Sequence, residues 1–336
     1  MKKITYAQSG VDLGEYDKLM RVVKKELAAS SESSGGGLFA GMLELKGMGG
    51  AGGMIVASVD GVGTKVKVAK EFGRHSGIGK DIVAHCVNDI LCLGGRPVAF
   101  MDYLAFDKID PTIFKQIVGG IAGECRKYGI QLIGGETAEM PGVYRKGEYD
   151  LAGFIIGLVS KRRALDGSRI RKGNLVVGLP SNGLHTNGFS LARQVLLTKR
   201  RMKLDGHPDG WRQSLGEVLL KPHTNYFKEV YPLVEKDLLT GIAHITGGGI
   251  AGNLKRVLPP GCGAVLKKAL WRVPAVFELI GRSGPVSESE MFRVFNMGLG
   301  MLLMVSNSHL PEVMKQTRSS RVVGEVVEGG GEVTIE

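Results

Sequence analysis

The chain has 336 residues, 51 of them glycine and 12 proline, with 43% hydrophobic and 23% charged residues. Glycine is about twice its usual ~7%, yet it follows no three-residue period and proline is scarce, which excludes collagen and Pro/Gly low-complexity chains. The 44 Lys and Arg outnumber the 33 Asp and Glu, and the net charge of +11 favours anionic partners: nucleic acid, anionic membrane or phosphorylated small molecules.

The glycines must therefore occupy turns and loops that approach a ligand closely. Aromatic residues are 6%, which argues against a single-strand stacking platform. Cys86, Cys92, Cys125 and Cys262 form no CxxC, and reduced thiols are the expectation. The start, MKKITYAQSGVD, has no apolar h-region. The longest apolar runs fall far short of the ~18 residues of a membrane span. A soluble cytoplasmic protein without membrane or nucleic-acid partners is expected.

Residues 16–29 read as a polar helix. The stretches 30–37 (SSESSGGG) and 47–53 (GMGGAGG) read as mobile connectors or as a lid over a site. The β-branched run 54–60 predicts a buried strand that leads into Asp60-Gly-Val-Gly-Thr-Lys65. A helix is predicted over 78–93, with Gly94 just past its end, and a strand over 97–103. Asp110-Pro111 is an N-cap followed by proline at the first helical position. The helix behind it carries Ile113, Ile117, Ile121 and Cys125 on one face and stops at Gly129. Strands follow at 130–133 and 151–159. The basic, weakly apolar segment 160–173 marks a boundary between an N-terminal domain, 1–165, and a C-terminal one, 166–336. The second half opens with a strand at 174–179, a loop through Gly188 and a helix from about Phe189. Residues 292–305 and 322–335 read as strands, with Glu328-Gly-Gly-Gly331 as a hairpin turn. Strands alternate with helices in both halves, without the uniform βαβ spacing of a doubly wound sheet. The expected class is α+β, with two α/β domains.

Common nucleotide motifs are missing. Gly61-Val-Gly63-Thr64-Lys65 places Thr before Lys and has no helix pattern behind it, which argues against a P-loop. G-x-G-x-x-G occurs at 47–52, ahead of a strand, and at 247–252, ahead of a possible helix at 253–258 but with no acid ~20 residues on.

Other groups suit phosphate and metal chemistry. At ~100° per residue, Asp81, His85, Asn88, Asp89 and Cys92 share one face of the 78–93 helix. Such a stripe is usually a solvent face. Zinc on Asp81, His85 and Cys92 is disfavoured, because structural zinc takes four Cys/His ligands. Asp89 suits Mg²⁺, which is held by one or two carboxylates plus phosphates. Asp60, Asp89 and Glu136 each end a predicted element beside glycine, either as turn caps or as acids that approach a metal–nucleotide. Lys65 is a solvated lysine or a phosphate partner. The loops Ser181-Asn-Gly-Leu-His185-Thr-Asn187 and His244-Ile-Thr246-Gly247-Gly248-Gly249 each join a predicted strand to a helix start, where backbone donors bind anions. Their histidines are structural or catalytic; His75, His207, His223 and His309 lack such a setting.

The ordered set Tyr6-Ala-Gln-Ser-Gly-Val-Asp12, DGVGTK (60–65), Val87-Asn-Asp89, GGETAEMP (134–141), YDLAG (149–153), GLHTNG (183–188), HITGGG (244–249) and FNMG (295–298) resembles the phosphoribosylformylglycinamidine cyclo-ligase (AIR synthetase) family over nearly the whole chain. DGVGTK and the Asp89-x4-Gly-x-x-Pro pattern are shared with wider relatives such as thiamine-monophosphate kinase. GGETAEMPG with YDLAGF is the specific part, and it disfavours the alternative of a small-molecule kinase. An RNA-binding protein would need stacking aromatics or an RNP-like motif, and neither is visible.

The resemblance implies ATP-dependent closure of formylglycinamidine ribonucleotide to 5-aminoimidazole ribonucleotide, with ADP and phosphate. It implies homodimers whose N-terminal domains pair into a β-barrel, with sites in clefts between domains. Asp60, Asp89 and Glu136 would serve Mg²⁺–ATP, joined by Gly61, Thr64, Lys65, Gly135 and Thr137 at the nucleotide. His185 and His244 would be catalytic, stabilising an oxyanion or shuttling a proton at a near-neutral pKa. Ser181, Asn187, Thr246, Gly247 and Gly248 would take the substrate. The family usually has Ala where Gly95 stands, which reads as a mild change, and Ser where Thr186 stands, which keeps the hydroxyl.

Overall fold

β1 (Gly41–Glu44), β2 (Gly53–Gly61), β3 (Arg96–Phe106), β4 (Gln131–Glu139) and β5 (Tyr149–Ser160) build a first sheet in the order β1-β2-β5-β3-β4. The computed structural model describes residues 4–15, 18–22, 38–45 and 53–336. Residues 18–22 are helical; the rest of the 16–29 reading, the stretch 30–37 and the run 47–52 lie outside the described residues.

Three helices serve the first sheet: α1 (Lys65–Phe72), α2 (Ser76–Cys92) and α3 (Pro111–Tyr128). β3 and β4 run parallel, so a crossover must join them, and α3 is that crossover. Its ends follow the sequence signals. The Asp110 carboxylate accepts from the amides of Thr112 and Ile113, and Gly129 closes the helix at φ 68. α2 and α3 meet at paired glycines. A Cβ on Gly79 would lie 2.1 Å from Ile117 O, and one on Gly120 would lie 2.3 Å from Ser76 O.

α2 corrects the solvent-face reading. It is buried on all sides from Asp81 to Cys92, because it packs on β2 and β5 and also meets the second half. A helix also begins at Lys65, contrary to expectation. Its β-branched Val66 and Val68 disguise it, but both are buried with Ala69, and Gly73 ends it in the left-handed region.

β6 (Leu175–Pro180), β7 (Gly241–His244), β8 (Cys262–Leu266), β9 (Leu299–Val305), β10 (Arg321–Glu328) and β11 (Val333–Ile335) form a second sheet in the order β11-β8-β10-β6-β9-β7. α4 (Phe189–Arg193) follows the first histidine loop, and α5 (Gly249–Lys255) follows the second, four residues earlier than the 253–258 reading. Residues 292–294 are the end of α6 (Glu288–Val294), not a strand. Ser287 starts that helix by accepting from Glu290 N–H. The predicted hairpin at 328–331 does not form either. β10 is already paired on both edges, by β6 and β8, so β11 passes around and runs parallel to β8.

Candidate active site

Both halves converge on the polar face of α2. β2 carries Asp60 one residue before its end, and α2 supplies Asp81, His85, Asn88 and Asp89. The second half supplies His185 and Thr186 from the β6–α4 loop, His223 from an irregular segment, and His244 from the end of β7. All four histidines are at most 4% exposed.

The contacts form a continuous chain. His85 Nε2 lies 2.8 Å from Asp60 Oδ2 and 3.9 Å from Asp89 Oδ2. His85 Nδ1 is 2.9 Å from Thr186 Oγ1, which is 3.3 Å from His223 Nδ1. His223 Nε2 lies 3.0 Å from His244 Nε2, and His244 Nδ1 lies 2.8 Å from Asp89 Oδ1. A carboxylate only accepts, so His244 carries its proton on Nδ1. Its Nε2 then accepts from His223, whose Nδ1 accepts from the Thr186 hydroxyl. His185 differs from the rest. Its ring stacks on His223 with centroids 4.1 Å apart, and both its nitrogens are buried without a hydrogen-bond partner. Its backbone is left-handed, at φ 61.

The electrostatics divide the imidazoles. Burial opposes charge on His85, but Asp60, Asp89 and Asp81 lift its pKa to about 9. Burial, followed by neighbouring cationic groups, drives His185 and His223 well below the usual imidazole range. Burial also lowers His244, against the pull of Asp89. Asp60 is held below the usual carboxylate range; burial works the other way, and the His85 charge prevails. The Asp60 side chain stays 39% exposed, which makes it the open end of the chain.

The structure gathers some expected residues and separates others. Asp60, Asp89, His185 and His244 meet here. Thr64 Oγ1 reaches Ser190 Oγ across the halves at 3.0 Å. Gly61 N–H donates to Asp60 Oδ1. The two histidine loops touch, since a Cβ on Gly247 would lie 3.4 Å from Asn187 Oδ1. Thr246 and Gly247 are held by Asn253, whose Nδ2 donates to both carbonyls at 3.2 Å. Gly248 is left-handed, at φ 96. Ser181 Oγ donates to Asn296 Oδ1 beneath the first loop.

Glu136 lies elsewhere. Asp60 pairs with Gly153, Gly153 with Asp102, and Asp102 with Gly135. Glu136 therefore sits three strands from Asp60, about 14 Å across the sheet at the usual strand spacing. Gly135, Glu136 and Thr137 lie exposed on edge strand β4. A Cβ on Gly135 would lie 2.6 Å from Asp102 Oδ1, so glycine is needed there for strand packing. Two groups of ring nitrogens and carboxylate oxygens could hold a metal: His185, His223 and His244, and His85, Asp89 and His244. Asp60, Asp89 and Glu136 form no such group among the described residues.

Lys65 does not face a phosphate position. It is fully buried, against Asp81. Gly95 is not a mild site in this chain. A Cβ there would lie 2.4 Å from Val56 Cγ2 and 2.8 Å from Ile90 O. Sequence reasoning missed His223. Its neighbours Pro222 and Thr224 form no motif, and only the distant pairing of its segment with α2 brings the ring into the site.

Two family models match the chain: AIR synthase related protein, N-terminal domain, over residues 40–159, and AIR synthase related protein, C-terminal domain, over 171–336. The chain is 42% identical to a phosphoribosylformylglycinamidine cyclo-ligase of Alkaliphilus oremlandii, covering 99% of this chain and 100% of that one. It is 44% identical to the protein of the same name from Myxococcus xanthus, covering 98% of each. A solved structure titled "AaThiL complexed with AMPPCP and TMP" shares the fold, with a TM-score of 0.65 at 15% identity over 94% of this chain and 92% of that one. Two matched domain models and full-length relatives at this identity place the chain in the phosphoribosylformylglycinamidine cyclo-ligase family of AIR synthase-related proteins.

Proposed function

We propose that the chain closes the imidazole ring of formylglycinamidine ribonucleotide, using ATP, to give 5-aminoimidazole ribonucleotide, ADP and phosphate in purine biosynthesis. The observation that carries this reading is the full-length identity of 42% to a cyclo-ligase. A fold neighbour titled with AMPPCP supports ATP as the phosphoryl donor.

The formyl amide oxygen takes the γ-phosphoryl group. The ribosyl-bearing amidine nitrogen then attacks the formyl carbon, phosphate leaves with that oxygen, and the nitrogen loses a proton. His185, whose two ring nitrogens have no hydrogen-bond partner, is the catalytic ring, stabilising the developing oxyanion or passing that proton on. Burial holds it below the near-neutral pKa first expected, which makes it a relay rather than a strong base. His244, tied to Asp89 and His223, anchors the second loop, whose Thr246, Gly247 and Gly248 take the substrate phosphate together with Ser181 and Asn187.

Asp60 Oδ2 and Asp89 Oδ2 converge on one cationic atom, His85 Nε2. That nitrogen stands between the two acids, so Asp60, the solvent-open one, is the carboxylate that suits Mg²⁺, which takes one or two carboxylates plus substrate phosphates, with Asp89 behind it. Bound there, the ion would neutralise phosphate charge. Glu136, Gly135 and Thr137 are too far across the sheet to share that ion and would meet the nucleotide separately. Thr64 and Gly61 complete the nucleotide side.

The halves act as domains 1–165 and 166–336. The first sheet also leaves Val59, Phe154 and Leu158 exposed on its outer face, an apolar surface that suits pairing of two copies into a barrel. The chain works as a cytoplasmic homodimer. Among the described residues no helix is long and apolar enough to cross a membrane.

Purified protein incubated with formylglycinamidine ribonucleotide, ATP and Mg²⁺ should release ADP and aminoimidazole product in equal amounts. Folded protein that yields neither would refute the reading.

A further inference from the structure

The lysine of the DGVGTK motif spends all its donors inside the protein. Lys65 Nζ lies 2.9 Å from Asp81 Oδ1, 2.9 Å from His185 O and 2.8 Å from Lys221 O. An ammonium has three donors, so none is left for a ligand. Asp81 Oδ1 accepts in addition from His223 N–H at 2.6 Å, and its Oδ2 lies 2.8 Å from Lys65 Nζ. Both side chains are fully buried.

This ion pair belongs to α1 and α2 of the first half, yet every other group it holds is backbone of the second half. Lys65 fixes the carbonyl of His185, the residue in the left-handed conformation that non-glycine residues rarely adopt. On the other loop the pair takes Lys221 O and His223 N–H, the hydrogen-bonding groups on either side of Pro222, which has no N–H of its own. The two loops so fixed carry the rings that stack 4.1 Å apart. Gly300 leaves the room: a Cβ there would lie 2.6 Å from His185 Cε1.

Cohesion alone does not call for this arrangement. A buried ion pair is a poor source of stability compared with apolar packing of the same volume. Its advantage lies in directed hydrogen bonds. We infer that Lys65 and Asp81 are positioning residues that hold the His185 and His223 loops in register across the two halves. The catalytic part of this inference rests on the reading that His185 acts in ring closure.

The test uses Asp81→Asn in the full chain, with Lys65→Met as a second variant. Asn keeps an oxygen for His223 N–H and removes the charge, so it keeps the test open if Lys65→Met fails to fold. Folded Asp81→Asn should show a tenfold or larger fall in kcat with KM for ATP within twofold. In ¹⁵N-histidine spectra the ring signals of His185 and His223 should move, while those of His207 and His309 stay. Unmoved His185 and His223 signals in the folded variant overturn the inference, whatever the activity. A loss confined to KM overturns its catalytic part. If the wild-type chain forms no aminoimidazole product, the functional reading fails, and the ring signals still decide the positioning claim.

Discussion

Asp89 and Glu136 look alike in the sequence, each an acid beside glycines near the end of a predicted element. The fold gives them opposite surroundings. Asp89 is 5% exposed and accepts from His244 Nδ1 and Ser58 Oγ. Glu136 lies in the open on an edge strand. The difference comes from what covers each strand end. The second half packs over α2, whereas among the described residues Glu136 is left exposed on its edge strand, so local spacing identifies an acid but not its chemistry.

Asp89→Asn should separate the two most strongly. Loss of the carboxylate that orients His244 should lower kcat about a hundredfold, in the range seen when one oriented catalytic group is removed. It should also destabilise the fold by about 2 kcal/mol, as expected when a buried charged hydrogen bond is weakened. Steady-state kinetics and denaturant melts check both, and an unchanged kcat would take Asp89 out of the site.

The paired histidines give the next contrast. His244→Ala breaks two hydrogen bonds and leaves Asp89 without its imidazole, whereas His185→Ala breaks none. Both should cost at least tenfold in kcat, but only His244→Ala should lower the melting temperature markedly. A loss confined to KM at His185 would mean ground-state binding rather than proton transfer.

The stability–pH profile should be smaller in effect and two-sided. His185, His223 and His244 have folded pKa values below the ordinary 6.5. The unfolded chain therefore binds more protons, and stability falls as pH drops below that value. His85 is raised to about 9, so its contribution is complete below 6.5 and is lost as pH climbs toward 9. The acid limb should be the steeper, because three buried rings must charge while Asp60 is partly solvated and its attraction to His85 is screened. His85→Met should remove the alkaline limb and soften the acid one, because the His85 charge also holds Asp60 down and lowers the other three rings; an alkaline limb that survives it would contradict the assignment.

Glu136→Gln should have the smallest effect. Exposed substitutions usually change stability by less than about 0.5 kcal/mol. KM for ATP should rise a few-fold with kcat nearly intact. A kcat loss as large as that of Asp89→Asn would place both acids at one ion, which a single chain does not allow.

The local signals in the sequence were legible. The Asp110 cap, the closing glycines 94 and 129, the strands β2, β3 and β5, the start of β4 and the polar face of α2 all follow from short-range chemistry, whereas β1 and the rest of β4 are not among the predicted strands. What escaped is set by distant parts of the chain. The α2 stripe reads as solvent-facing until the second half covers it. Lys65 reads as a phosphate group until Asp81 and two loop carbonyls surround it. His223 has no motif, and β11 has a turn that looks like a hairpin but no free β10 edge to pair with. The Gly95 position illustrates the same limit, because only packing against Val56 and Ile90 makes an added methyl group costly.

The most direct test of the proposed chemistry follows one oxygen atom. Formylglycinamidine ribonucleotide labelled with ¹⁸O in the formyl group should pass that label to inorganic phosphate, one atom per aminoimidazole ring formed. Label released as water, or a stable phosphorylated product without ring closure, would contradict phosphorylation-driven cyclisation in this cleft.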